Sequence, residues 1–288
     1  MKLKALARME PWEWPEDTGD KLLAVLRDEQ APEGDRELAV NMAGDLVVMN
    51  DALADALLAT IRDPRRPEQL RAKAAISLGP VLEDMDINGE DEDDPFAELA
   101  ISAETFATIR TALRELYQDQ TLPKDLRRRI LEASVRAPQP WHPDAVRAAY
   151  TSGDRAWKLT AVFCMSYVKG FDESIAEALD SEDSEILREA VSAAGSWEVK
   201  GAWDQVKALL TSPDTEKSLL LAAIQAAPGI RPEEAVEVLD ALTDSDDDDI
   251  VAAVEEAMTM AQGMAELDDV EDDDDEDEEN EEKDDDRK

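Results

Sequence analysis

Cysteine, histidine and aromatic side chains are all scarce in this 288-residue chain, which has one Cys, one His, six Trp, three Tyr and four Phe. With Cys164 alone, an intrachain disulfide and a multi-cysteine zinc site are both excluded, and the composition fits a reducing compartment. With His142 alone, the paired histidines of a catalytic zinc centre are excluded as well. So few aromatics leave Leu, Ala, Val and Ile to fill the core, which suits many small helix–helix contacts. No apolar run reaches the ~20 residues that span a bilayer. The most apolar stretch, AWKLTAVFCMSYV at 156–168, carries Lys158. The first residues, MKLKALARMEPWEWPED, lack the apolar run of a signal peptide. These absences predict a soluble, cytoplasmic protein without a membrane partner.

Basic charge is short too. The 30 Lys and Arg face 71 Asp and Glu, a formal net charge of −41. Residues 244–288 hold 24 acidic and 3 basic side chains, which leaves 47 acidic and 27 basic in the rest, so the body is acidic without its tail. A surface of that sign repels phosphate and anionic lipid and attracts basic protein segments. The expected partner is therefore a basic protein, with no nucleic-acid groove. The terminal DDVEDDDDEDEENEEKDDDRK has one apolar residue, Val270. It buries too little to offset its ordering entropy and is expected to be disordered.

What is present is a repeat. TSGD (151–154), DSED (180–183), TSPD (211–214) and TDSD (243–246) end on aspartates at 154, 183, 214 and 246. A short apolar pattern precedes each, as in Val206-x-x-Leu209-Leu210, and a longer Ala-rich one follows, as in SLLLAAIQAA. Apolar residues three and four apart mark both as helices, and the Ser/Thr/Asp cluster between them as a helix stop followed by an N-cap. Less regular pairs occupy 21–49, 52–78 and 105–135, and strand signals are nearly absent. The chain reads as all-α, with about seven antiparallel helix pairs at a period near 31 residues stacked as an α-solenoid. The expected organisation is an N-terminal segment (1–18), a solenoid (19–262) interrupted by an acidic loop (84–98), and the tail (263–288).

The segments PEQLRAKAAISLG, PKDLRRRILEASV and DSEILREAVSAAG, in which Leu-Arg leads into a small apolar run, resemble the second helix of short HEAT-type repeats. The repeat class is similar to that of the phycobiliprotein lyases. The resemblance implies an α-solenoid over about residues 19–262 that serves as a binding surface, and it carries over no catalytic residue.

Residues 84–95, DMDINGEDEDDP, begin like a calcium loop: Asp84, Asp86 and Asn88 take the first, third and fifth positions and Gly89 the sixth. The twelfth, which should be a bidentate carboxylate, is Pro95, so the stretch reads as acidic surface with at most a weak cation site at Asp84, Asp86 and Asn88. His142, between prolines in APQPWHPDAV, reads as a surface residue or loop strut. Cys164, in the most apolar helix, reads as core, as do Trp157 and Phe163. Arg127, Arg128, Lys158, Arg188, Trp197 and Trp203 are the candidate interaction surface. No Gly-rich phosphate loop, nucleophile–base set or cofactor motif is legible. The function expected is a protein-interaction scaffold without enzymatic activity. An acidic decoy or chaperone-like role through the tail is the alternative, and a lyase-type enzyme the third reading.

Overall fold

The computed structural model describes residues 3–89 and 99–264. The acidic stretch 90–98 and the tail from 265 onward, with the open loop and the disorder expected of them, lie outside the described residues. Two compact units divide the chain, one up to Ala145 and one from Val146 onward. The described residues contain no strand.

In the first unit, a short α1 (Leu3–Leu6) precedes three helix pairs: α2 (Thr18–Arg27) with α3 (Glu33–Ala43), α4 (Asp51–Arg62) with α5 (Glu68–Ile76), and α7 (Ala103–Gln118) with α8 (Lys124–Ser134). One further helix, α6 (Gly79–Asn88), stands between the second and third pairs. Pairing is local, and each helix then stacks on its counterpart in the next pair, α3 on α5 on α8 and α2 on α4 on α7. The sequence of α4 shows why. Leu53, Ala54, Leu57, Leu58 and Ile61 recur at helical spacing and are all buried, and Asn50 caps the start by accepting the Leu53 N–H at 3.0 Å. Each such Leu or Ile contributes ~1.5–3 kcal/mol on burial. The bulkiest fully buried side chains are leucines and isoleucines, as a chain short of aromatics requires.

A second regularity governs the turns of this unit. Asp28, Asp63 and Asp119 close the first helix of each pair, Pro32, Pro67 and Pro123 stand four residues later, and Arg36, Arg71 and Arg127 four later again. Each carboxylate accepts the backbone N–H two residues on: Gln30 at 2.8 Å, Arg65 at 3.0 Å and Thr121 at 2.8 Å. Each proline, with no N–H to leave unpaired, sits at the N-cap of the second helix. Each arginine then reaches back to a carbonyl at the end of the first helix: Arg36 to Asp28 (2.7 Å), Arg71 to Ile61 (2.8 Å) and Arg127 to Tyr117 (2.9 Å). Those carbonyls would otherwise lack a helical partner. The motif is Asp-x3-Pro-x3-Arg, and it locks each hairpin.

The second unit repeats the pairing with a different turn. Its helices are α9 (His142–Tyr150, in which the division between units falls), α10 (Arg155–Met165), α11 (Asp172–Leu179), α12 (Ser184–Ser196), α13 (Trp203–Thr211), α14 (Lys217–Ile230), α15 (Pro232–Leu239) and α16 (residues 248–264). Ser152, Ser181, Ser212 and Ser245 each accept the N–H of the aspartate two residues on, at 3.2–3.3 Å. The expected N-caps hold at Asp154, which accepts from Ala156 and Trp157, and at Asp183, which accepts from Glu185 and Ile186. In the other two repeats the cap lies further on. Glu216 accepts the Ser218 N–H at 3.1 Å, and Asp247 accepts the Asp249 N–H at 3.0 Å.

Within α10, Thr160, Ala161, Val162, Cys164 and Met165 are buried, so Cys164 is core. Phe163 and Trp157 are only half-buried, because the buried stripe runs through 160, 161, 164 and 165 and these two rings flank it. Helices α12 and α14 approach each other closely. A Cβ on Gly195 would lie 2.7 Å from the Ala226 Cα, and one on Gly229 would lie 2.6 Å from the Gly195 carbonyl oxygen.

Candidate interaction surface

The sequence-chosen surface residues fall into two groups. Arg128, 7% exposed, and Trp203, 8% exposed, are buried, so both leave the surface. Arg128 lies against Asp125 at 3.2 Å and Glu132 at 3.8 Å. Trp203 opens α13 and packs inward with Val206 and Leu210. A basic and an aromatic side chain near turns read as exposed in one dimension. The helical register decides otherwise.

Arg127, Lys158, Arg188 and Trp197 are half-exposed, and each is engaged within the fold. Arg127 holds the Tyr117 carbonyl and lies 5.3 Å over the Tyr117 ring. Lys158 sits 3.6 Å from Glu177 and 4.8 Å over the Tyr150 ring. Arg188 bonds Glu189 at 2.7 Å. The Trp197 indole N–H donates to the Met165 carbonyl at 2.6 Å, with the Lys169 ammonium 5.2 Å over its ring.

His142 is neither a surface residue nor a simple loop strut: it is fully buried at the start of α9. The Gln139 backbone N–H donates to Nδ1 at 2.9 Å, which makes Nδ1 the acceptor and places the proton of the neutral ring on Nε2. Nε2–H then donates to the Ser134 hydroxyl at 3.0 Å, and that hydroxyl donates to the Leu131 carbonyl at 3.0 Å. Burial first, and the Arg110 charge second, push the imidazole pKa down to about 3. The ring is held neutral, as a structural tie between α8 and the loop before α9.

The Asp84-x-Asp86-x-Asn88 pattern is helical, not a loop, because α6 continues through Asn88. Residues two apart on an α-helix point to nearly opposite sides, so Asp84 and Asp86 do not converge as loop ligands would. Asn88 instead donates to Asp84 at 2.9 Å across one turn. Among the described residues, no three His, Cys, Asp or Glu side chains group as a metal site.

The surface with the most one-sided chemistry is the turn edge of the second unit. Residues 180–185 (DSEDSE), 212–216 (SPDTE) and 244–249 (DSDDDD) contain no Lys or Arg. Arg155 and Lys217 bond directly into this edge, and both are spent within it. Arg155 bonds Asp183 at 2.6 and 2.9 Å and also pairs with Glu185. Lys217 bonds Asp247 at 2.8 Å and Asp249 at 2.6 Å. The Arg155 guanidinium holds the Asp183 carboxyl below its usual range, and Lys217 does the same for Asp247. Glu216 is likewise lowered, first by the Ser218 hydroxyl and backbone N–H, with Arg188 adding a smaller pull. The remaining acids, Asp180, Glu182, Asp214, Asp244, Asp246 and Asp248, are exposed. The edge is thus a line of exposed carboxylates.

Fold and edge together define an α-helical repeat protein. The family described as HEAT repeats matches residues 173–259, from α11 into α16. Comparison with curated protein sequences gives no match. Three solved structures are similar in fold. YibA of E. coli has 15% identity and a TM-score of 0.43, covering 88% of this chain and 85% of that one. Human deoxyhypusine hydroxylase in complex with glycerol has 15% identity and a TM-score of 0.38, covering 86% and 97%. The complex of CpcE and CpcF of phycocyanin lyase from Nostoc sp. has 17% identity and a TM-score of 0.43, covering 88% and 98%. The expectation of no enzymatic activity does not stand, because a hydroxylase and a lyase are among these structures and the scaffold does not exclude catalysis. Among the described residues, no helix is long and apolar enough to cross a membrane.

Proposed function

We propose that this chain is a HEAT-like interaction scaffold that docks basic segments of a protein partner along the second unit, on the acidic turn edge and the adjoining surface of the second helices. The observation that carries this reading is the edge itself. Three successive turns present carboxylates with no base among them, and the nearby Arg155 and Lys217 are already bound. A line of like charge at repeat spacing favours an extended cationic segment over a compact one, and steers its approach over a distance set by salt.

The test is titration of a fluorescent Arg/Lys-rich peptide into the full chain and into a variant carrying Glu182→Lys, Asp214→Lys and Asp246→Lys. All three side chains are exposed, so the fold should survive. The reading expects binding that weakens steeply with salt and is largely lost in the variant. Equal binding by both proteins would refute it, and a chain truncated after residue 264 shows whether the acidic tail alone is responsible.

A further inference from the structure

Tryptophan is the side chain with the most to gain from burial, yet Trp12 is 76% exposed. The exposure is not that of a loose end. Trp12 sits in a 3-10 turn (Pro11–Glu13) closed by the Glu13 N–H to the Glu10 carbonyl (2.9 Å) and the Trp14 N–H to the Pro11 carbonyl (3.1 Å). Pro11 and Pro15 bracket it, and the Thr18 N–H donates to the Pro15 carbonyl at 2.9 Å. Two residues on, Trp14 is tied down, its indole N–H donating to the Leu6 carbonyl at 3.0 Å. The same short turn anchors one indole and holds the other out in water.

The residues on either side of Trp12 in sequence, from 9 to 20, carry one sign of charge. Glu10, Glu13, Glu16, Asp17 and Asp20 are all exposed, no Lys or Arg occurs between residues 9 and 20, and the exposed Arg8 lies just before. Asp17 is neutralised by Lys21 at 2.5 Å, whereas Glu10, Glu13 and Glu16 flank the indole on either side in sequence. An indole face attracts a guanidinium or ammonium through its quadrupole, and adjacent carboxylates add direct attraction. The same carboxylates oppose an anionic lipid surface and a second copy of this acidic chain.

We propose that Trp12, with Glu10, Glu13 and Glu16, is a docking anchor for an Arg- or Lys-bearing extended segment of a protein partner. This rests on the reading of the partner as basic, and adds a second, aromatic contact in the first unit.

The full chain labelled with 5-fluorotryptophan gives one fluorine resonance for each of its six tryptophans, and Trp12→Phe assigns the first. The probe is a peptide of alternating Arg and Gly, with a Gln/Gly peptide as neutral control, and calorimetry runs in parallel. The proposal expects the Trp12 resonance to move saturably with the Arg peptide and not with the Gln peptide. Trp12→Ala should weaken the affinity about three- to fivefold with no change in melting temperature. If the Arg peptide binds but the Trp12 resonance stays still, the anchor is refuted while the scaffold reading stands; if it does not bind at all, both fall. An equal shift with the Gln peptide or with phosphatidylserine vesicles, or self-association abolished by Trp12→Ala, identifies another occupant and overturns the proposal.

Discussion

The Arg155 guanidinium crosses one repeat to the Asp183 carboxylate, at 2.6 and 2.9 Å, while that carboxylate also caps its own helix through Glu185 and Ile186. Lys217 makes the same move onto Asp247 and Asp249 two pairs later. Between these two staples the position equivalent to Arg155 is Ser184, and the α12–α14 crossing is held instead by the close approach of Gly195, Ala226 and Gly229. The four repeats of this unit are joined alternately by charge and by backbone contact.

The two roles of Asp183 separate in mutants. Asp183→Ala loses the cap and the ion pair, and should cost ~1–2 kcal/mol, mostly from the cap. Arg155→Ala loses only an exposed pair, so its smaller effect should vanish in high salt. Denaturant melts at low and high salt check this, and equal, salt-indifferent losses in the two variants would contradict it.

Replacing Gly195 should act through sterics alone. Gly195→Ala forces a Cβ onto the Ala226 backbone and should destabilise by at least ~1–3 kcal/mol. Gly201→Ala, with nothing within 4 Å of the new Cβ, is the control and should be near neutral.

The hairpin lock makes a similar prediction for Arg71, which is 6% exposed with Nε–H on the Ile61 carbonyl. Arg71→Lys keeps the charge but not the planar fork, and should cost ~1–3 kcal/mol as the buried carbonyl loses its donor. Lys73→Ala, an exposed side chain on the same helix, should change the melting midpoint far less.

His142, the sole histidine, sets a pH dependence of its own. Its folded pKa of about 3 lies below the ordinary 6.5, so the unfolded chain takes up the proton first as pH falls. Its contribution to stability is complete above pH 6.5 and is lost between there and about 3, at up to ~1.4 kcal/mol per pH unit. Between pH 6.5 and 5, a decline in urea stability that His142→Asn abolishes is the expected result. A flat profile in the parent protein would contradict the buried, neutral ring.

Helix pairing was legible in the sequence because apolar periodicity reports burial directly, and Asp154 and Asp183 were legible as caps because Ser-x-Asp is a local signal. Glu216 was not, because the Ser212-x-Asp214 signal stops two residues short of it, and at Ser245 the signal fits Asp247 whereas the repeat ending TDSD pointed to Asp246. The Asp-x3-Pro-x3-Arg lock was present in the first unit three times over, and its fixed spacing was the signal to follow. His142 and Arg128 went astray for a common reason: their burial depends on partners several residues away, Ser134 for one and Glu132 for the other. Nothing in the sequence singled out Trp12, and only the turn around it shows that its exposure is imposed.

The central claim is that basic segments dock on the turn edge of the second unit, and amide hydrogen exchange of the full chain with and without an Arg/Lys-rich peptide tests it most directly. The account predicts peptide-dependent protection at residues 180–185, 212–216 and 244–249, lost at high salt. Protection confined to residues 265–288, or absent from all three turns while the peptide binds, would contradict it.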